Sequence, residues 1–182
     1  MRHILSKCLI VAIAMLSTIT VYAEELQPRA EILKTLIKVN DLYLKNHPDP
    51  LLGIPYYSRK KVYEANIWTR AVYFEGLMAL HSIYPSNRYL DYATDWADGF
   101  KWGMRRDETA TRNADNYCAS QVYIDLYRLC PEPNRLTKTK GTMNMLVNTP
   151  QVDDWTWIDA IQMGCLLNTY QIPRDERQER KP

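Results

Sequence analysis

Asp153, Asp154 and Asp159 stand with Trp155 and Trp157 inside seven residues, and Ile161, Met163 and Leu166-Leu167 follow at helical spacing. Carboxylates act as general acids and bases, and indoles offer flat apolar faces to sugar rings. Asp153 or Asp154 reads as the N-cap of a helix. That puts Asp159 in its second turn, on the same face as Trp155 four residues earlier. A carboxylate beside an indole loses water, and its pKa rises toward the range useful for proton donation. The positive end of the helix dipole pulls the other way. The sequence leaves that balance open, and an acidic capping cluster before a core helix would use the same residues.

Two other helix beginnings carry chemistry-bearing residues: Trp68-Thr69-Arg70 and Asn113-Ala114-Asp115-Asn116. Asp115 is either a second acid or a plain N-cap. Arg70 and Arg112 either bind a substrate carboxylate or pair with nearby acids. Paired acids among aromatic platforms are what a sugar-cleaving site needs.

The elements that must position these groups are helices. Pro28 opens the first, amphipathic on one side and ending at His47-Pro48. A connection rich in Pro, Gly and Tyr covers residues 49–61. The second helix, from Asn66 or Trp68 to Tyr84, is apolar nearly all round. A third, capped by Ser86, sets Tyr89, Ala93, Trp96 and Phe100 against Asp91, Asp95 and Asp98. The fourth, opened by Asp115 and ended by Pro131, is again apolar nearly all round. A weaker helix, broken up by Gly141, runs from Leu136 to Val147, before the helix that begins at Asp154. One-sided and all-round helices alternating as hairpins suggest outer and inner rings. Inner helices joined through outer partners run parallel, so their N-termini meet at one mouth. No segment alternates with period two long enough for a sheet, and the fold class is all-α.

The 182 residues suit one domain with a real core, and a formal net charge of +2 offers no field for nucleic acid or anionic lipid. Arg2, His3 and Lys7 precede an apolar run from Cys8 to Ile19, and Val21-Tyr22-Ala23 offers a cleavage site. Residues 1–23 therefore read as a signal peptide, implying export to the periplasm or medium with no membrane attachment after cleavage. Cys118, Cys130 and Cys165 remain, an odd number without Cys-x-x-Cys spacing. In one helix Cys118 and Cys130 lie about 18 Å apart, too far to bridge. They read as small buried hydrophobes. His47 and His81 have no second ligand at metal spacing, so no metal is implied.

The strings Trp68-Thr69-Arg70 to Glu75-Gly76-Leu77, Asn113-Ala114-Asp115-Asn116-Tyr117-Cys118 and Asp153-Asp154-Trp155-Thr156-Trp157-Ile158-Asp159-Ala160 resemble the unsaturated rhamnogalacturonyl hydrolases of glycoside hydrolase family 105. These are related to the unsaturated glucuronyl hydrolases of family 88. The resemblance covers roughly residues 31–164 and implies an (α/α)6 barrel. It also implies removal of a terminal 4,5-unsaturated uronic acid from lyase-generated oligosaccharides, without a cofactor. Asp159 aligns with the acid/base and Asp115 with the second essential aspartate. Trp68, Thr69, Arg70, Asn116, Trp155 and Trp157 fall at the substrate. A glycosaminoglycan-type disaccharide is the alternative substrate, and a non-catalytic helical-repeat module the alternative class. Only about three of six hairpins are expected, over residues 24–170, with a charged tail at 171–182. Half a barrel would leave an open apolar edge through which copies of the chain associate.

Overall fold

A computed structural model describes residues 27–56, 61–107, 111–151 and 156–169. The chain divides into two compact units, Met1–Leu36 and Ile37–Pro182. Described residues of the first form the start of helix α1 (Arg29–Asn46), where Lys34 pairs with Glu31 at 3.7 Å. Everything that follows concerns the second unit. The signal-peptide segment and the charged tail lie outside the described residues.

The remaining helices are α2 (Trp68–Ile83), α3 (Asn87–Gly99), α4 (Ala114–Tyr117), α5 (Ser120–Leu129), α6 (Thr137–Asn148) and α7 (Ile158–Thr169). Short 3-10 turns at Arg105–Asp107 and Pro133–Leu136 precede α4 and α6. Prolines set several ends: α2 stops before Tyr84-Pro85 and α5 before Cys130-Pro131, because the residue before proline disfavours helix. α2 packs on α3 and α5, and α7 packs on α4 and α5.

Four expectations change. Residues 49–61 hold a small antiparallel hairpin, β1 (Ile54–Tyr56) with β2 (Lys61–Tyr63), pairing Ile54 with Tyr63 and Tyr56 with Lys61. The fourth helix comes in two pieces, α4 and α5. The chain keeps helical φ/ψ at Cys118 and Ala119 but tightens there, with Gln121 N–H donating to the Cys118 carbonyl at 3.2 Å. α6 runs through Gly141 unbroken. Glycine costs about 1 kcal/mol against alanine in a helix, and the packing of the buried Leu136, Thr139 and Thr142 around it offsets this. Cys118 is buried as expected, but Cys130 is exposed, because it caps α5 at the surface.

The core is an aromatic column. Phe74 of α2 stacks on Trp96 of α3 at 4.1 Å between ring centroids, and Trp96 leans on Tyr123 of α5 at 5.4 Å. All three are fully buried. Tyr92 extends the column at one end and Trp102 at the other. Burial pushes the Tyr92 hydroxyl up to about 12. Each polar tip finds an acceptor: Trp96 Nε1 donates to the Ala65 carbonyl (2.9 Å), and Tyr123 Oη to the Gly103 carbonyl (3.0 Å). Asn66 Nδ2 donates to the same Gly103 carbonyl at 3.2 Å. The loop after α3 is thus pinned, although Lys101 and Trp102 adopt left-handed φ of 51° and 54°. Arg106, with φ 62°, is held by its N–H donating to Glu64 Oε2 at 2.8 Å. This loop delivers Arg105 to the candidate site.

The second helix is not covered on every side. Thr69, Val72, Gly76, Ala79 and Ile83 form an exposed stripe along α2 among the described residues. On α3, by contrast, Tyr89, Ala93 and Trp96 face inward while Asp91, Asp95 and Asp98 face water, the one-sided pattern its sequence predicts.

Candidate active site

Asn113 is the N-cap of α4: its Oδ1 accepts from the Asp115 N–H at 2.9 Å. Its side chain satisfies the orphan donor that an aspartate cap would otherwise have taken. The Asp115 carboxyl is therefore free of the capping role and stands in the first turn of the helix.

Asp159 lies in the first turn of α7, not the second, because that helix starts at Ile158. Asp153, Asp154 and Trp155 lie outside the described residues. Asp159 is exposed at the surface, with Trp157 two residues earlier 38% exposed. α4 and α7 pack together, and the Asp159 charge acts on Asp115. Burial, and then the charge of Asp159, hold Asp115 above the ordinary aspartate range, while Arg105 pulls it down.

Arg105 was not legible in the sequence as a site residue. Its guanidinium lies over the Tyr63 ring at 4.9 Å, and its Nη1 donates to Asn116 Oδ1 at 3.1 Å. Asn116 is buried, and its Nδ2 donates to Thr111 Oγ1 at 3.1 Å. Asn116 thus holds the cation that Asp115 senses. The two arginines singled out by sequence have other partners. Arg70 is 6% exposed, lies over the Tyr43 ring and donates to the Tyr43 hydroxyl. Its charge is committed inside the α1–α2 contact and does not open toward a substrate. Arg112 reaches Thr149 Oγ1 and the Gln151 carbonyl (3.1 Å), tying down the segment after α6. Trp68 is half-buried and Thr69 exposed at the start of α2. Among the described residues no cluster of His, Cys, Asp and Glu could hold a metal.

Residues 38–178 match the model of Glycosyl Hydrolase Family 88, more than half of the chain. The chain belongs to that family. Two solved structures are similar to this family 88 chain. A polysaccharide lyase superposes with a TM-score of 0.64 at 23% identity, over 79% of this chain and 42% of its own. A family 88 glycosyl hydrolase from Bacteroides vulgatus superposes with a TM-score of 0.62 at 25% identity, over 74% of this chain and 39% of its own. The chain thus spans about two fifths of the length of each. No match emerges among curated proteins. The neighbours are (α/α)6 barrels, and the hairpins of this family 88 chain correspond to part of that architecture.

The raised pKa of Asp115 has a thermodynamic consequence. A carboxyl whose folded pKa lies above its unfolded value stabilises the fold below the unfolded pKa, and that stabilisation is lost as pH rises through the folded one. At neutral pH the ionised Asp115 is a cost. Asp115→Asn should therefore raise the melting temperature near pH 7. The gain should be small, up to about 2 °C, because solvent screens a partly exposed group. It should fade as pH falls from above the ordinary carboxylate range down to it. A lowered melting temperature at neutral pH would mean that the carboxylate makes a net favourable contact.

Proposed function

We propose that this family 88 chain belongs to an unsaturated uronyl hydrolase of the rhamnogalacturonan or pectin type, exported through its N-terminal segment. The observation that carries the reading is that Asp115 and Asp159 stand in the first turns of two packed helices, with the Asp159 charge raising Asp115. Burial and the neighbouring Asp159 charge hold Asp115 above the ordinary aspartate range, the kind of environment found at acid–base sites. A helical-repeat binding module would not require its acids to meet.

In this reading Asp159 protonates C4 of the 4,5-unsaturated uronate and takes a proton from the water that adds to C5. The C5 hemiketal opens to a ketone, freeing the former ring oxygen at C1. Collapse at C1 then expels the neighbouring sugar as its alcohol. Asp115 holds the water and shares the proton. Trp68 and Trp157 present aromatic faces to the sugars, and Thr69 adds a hydroxyl. The reaction needs no cofactor. Arg105 supplies a positive charge that acts on Asp115, and it suits the uronate carboxylate.

The test compares unsaturated rhamnogalacturonan and glycosaminoglycan disaccharides. The protein would be used both as this chain and extended to the length of the family's solved members. Turnover removes the conjugated double bond and its ultraviolet absorbance. The rhamnose-linked substrate should be consumed faster. Preference for the glycosaminoglycan disaccharide would move the substrate to the glucuronyl class. Absorbance unchanged with both in the extended protein would overturn the reading.

A further inference from the structure

We propose that Glu75 is a positioning residue that sets the spacing of Asp115 and Asp159. The proposal rests on reading those two aspartates as the reacting pair. Glu75 sits midway along α2, half-buried in an otherwise apolar stretch. Its two oxygens are divided between the two site helices. Oε1 accepts from Cys118 Sγ at 3.5 Å, and Oε2 accepts from Gln162 Nε2 at 3.1 Å. Cys118 stands three residues after Asp115, and Gln162 three residues after Asp159. Each contact therefore lies about one helical turn from a candidate catalytic carboxyl, on the same side of its helix.

A carboxylate is planar, and its two oxygens keep a fixed separation. Binding one helix to each oxygen makes Glu75 a spacer between them. Gln121 of α5 adds a second tie to the same turn of α7, its Nε2 donating to the Gln162 and Met163 carbonyls at 3.1 and 3.0 Å. Gln121 fixes α7 by its backbone, whereas Glu75 engages both site helices.

Burial pushes the Glu75 carboxyl above its usual range, and the two hydrogen bonds pull it back. Burial and the nearby Glu75 charge push the Cys118 thiol up, so it remains a protonated donor and not a nucleophile. An acid kept where water is scarce is costly, which fits a role in geometry better than one in stability.

Glu75 also lines a cavity of about 410 Å³ with Met78, His81, Gln121, Asp125 and Arg128. The charged groups bearing on the readout are Asp159 from α7 and Arg105 from the 3-10 turn, which face Asp115, and Asp125 from α5, which faces Glu75.

The experiment follows Asp115 by carboxyl-carbon NMR titration in this chain, for the parent and for Glu75→Gln, Glu75→Ala and Gln162→Ala. Gln keeps an acceptor for Gln162 but carries no charge; Ala removes charge and tie together. Gln162→Ala breaks the α7 end at an exposed residue without changing any charge. A spacer predicts that Glu75→Ala lowers the Asp115 midpoint by about half a pH unit more than Glu75→Gln does. Gln162→Ala should lower it in the same direction, with an unchanged melting temperature. Equal shifts in both Glu75 variants, with none in Gln162→Ala, would mean that Glu75 acts by charge alone and would overturn the proposal.

In the extended protein, Gln162→Ala should reduce kcat about tenfold with KM within twofold, as for a small misplacement of reacting groups. The titration needs no substrate. If it shifts as expected while the extended parent turns nothing over, the functional reading falls and the spacer stands.

Discussion

Asp159→Asn in the extended protein should reduce turnover of the unsaturated uronyl disaccharide by about 10²–10⁴-fold, the usual contribution of a positioned general acid–base group. That corresponds to about 3–5 kcal/mol of transition-state stabilisation. The loss should appear in kcat with little change in KM, because the asparagine still fills the space and accepts hydrogen bonds. The fold should be untouched, since Asp159 is exposed in the first turn of α7 and that helix is held by Ala160, Met163 and the Gln121 side chain. Asp115→Asn should cost nearly as much. Groups that act as a unit are not additive, so the double variant should be scarcely worse than either single one. Undiminished turnover in Asp159→Asn would transfer the acid role to Asp153 or Asp154.

The second large effect is structural. Trp96→Ala should destabilise the chain by about 3–5 kcal/mol, the range for deleting a large aromatic side chain from a closed core. Trp96 is fully buried between Phe74 and Tyr123 and donates its indole N–H to the Ala65 carbonyl. Removing it opens a cavity and orphans that carbonyl. A typical domain has only about 5–15 kcal/mol in total, so the variant should be marginal at room temperature. Trp96→Phe keeps a stacked ring but leaves the carbonyl unpaired, a loss of about 1–3 kcal/mol. Urea unfolding followed by far-ultraviolet circular dichroism measures both. A loss under about 1 kcal/mol for the alanine variant would show that the core is not organised on this column.

Much of the fold was legible because the helices advertise their faces. Tyr89, Ala93 and Trp96 on one side of α3 and three aspartates on the other leave little choice of orientation. The hairpin was not legible. Ile54–Tyr56 and Lys61–Tyr63 are three residues each, too short to show alternation, and Pro55 sits inside the first. In the site, Asn113 and Asp115 are both good caps, and only the hydrogen bond from the Asp115 N–H to Asn113 Oδ1 decides between them. Arg70 looked chemical because it adjoins Trp68 and Thr69. Its commitment to Tyr43 depends on a partner 27 residues away that no local pattern reveals. Arg105 likewise acquires meaning only once the left-handed residues Lys101 and Trp102 turn the chain back toward α4. Glu75 did leave a sign, a single acid among Phe74, Leu77 and Met78, but its two partners lie 43 and 87 residues further on.

The aromatic column also sorts the chain's light emission. Trp96 and Trp102 are sealed in the core, 0% and 7% exposed, with both indole N–H groups bonded inside the protein, whereas Trp157 at the candidate mouth is 38% exposed. The sealed indoles should emit at the blue edge of the fluorescence band, and Trp157 nearer the red. An aqueous quencher such as iodide should then reach Trp157 while sparing the column. A sugar stacked on Trp157 should shield it from iodide and leave the blue edge unmoved, whereas unfolding should shift the whole band to the red. Occupancy and collapse of the fold thus leave separate marks on one spectrum.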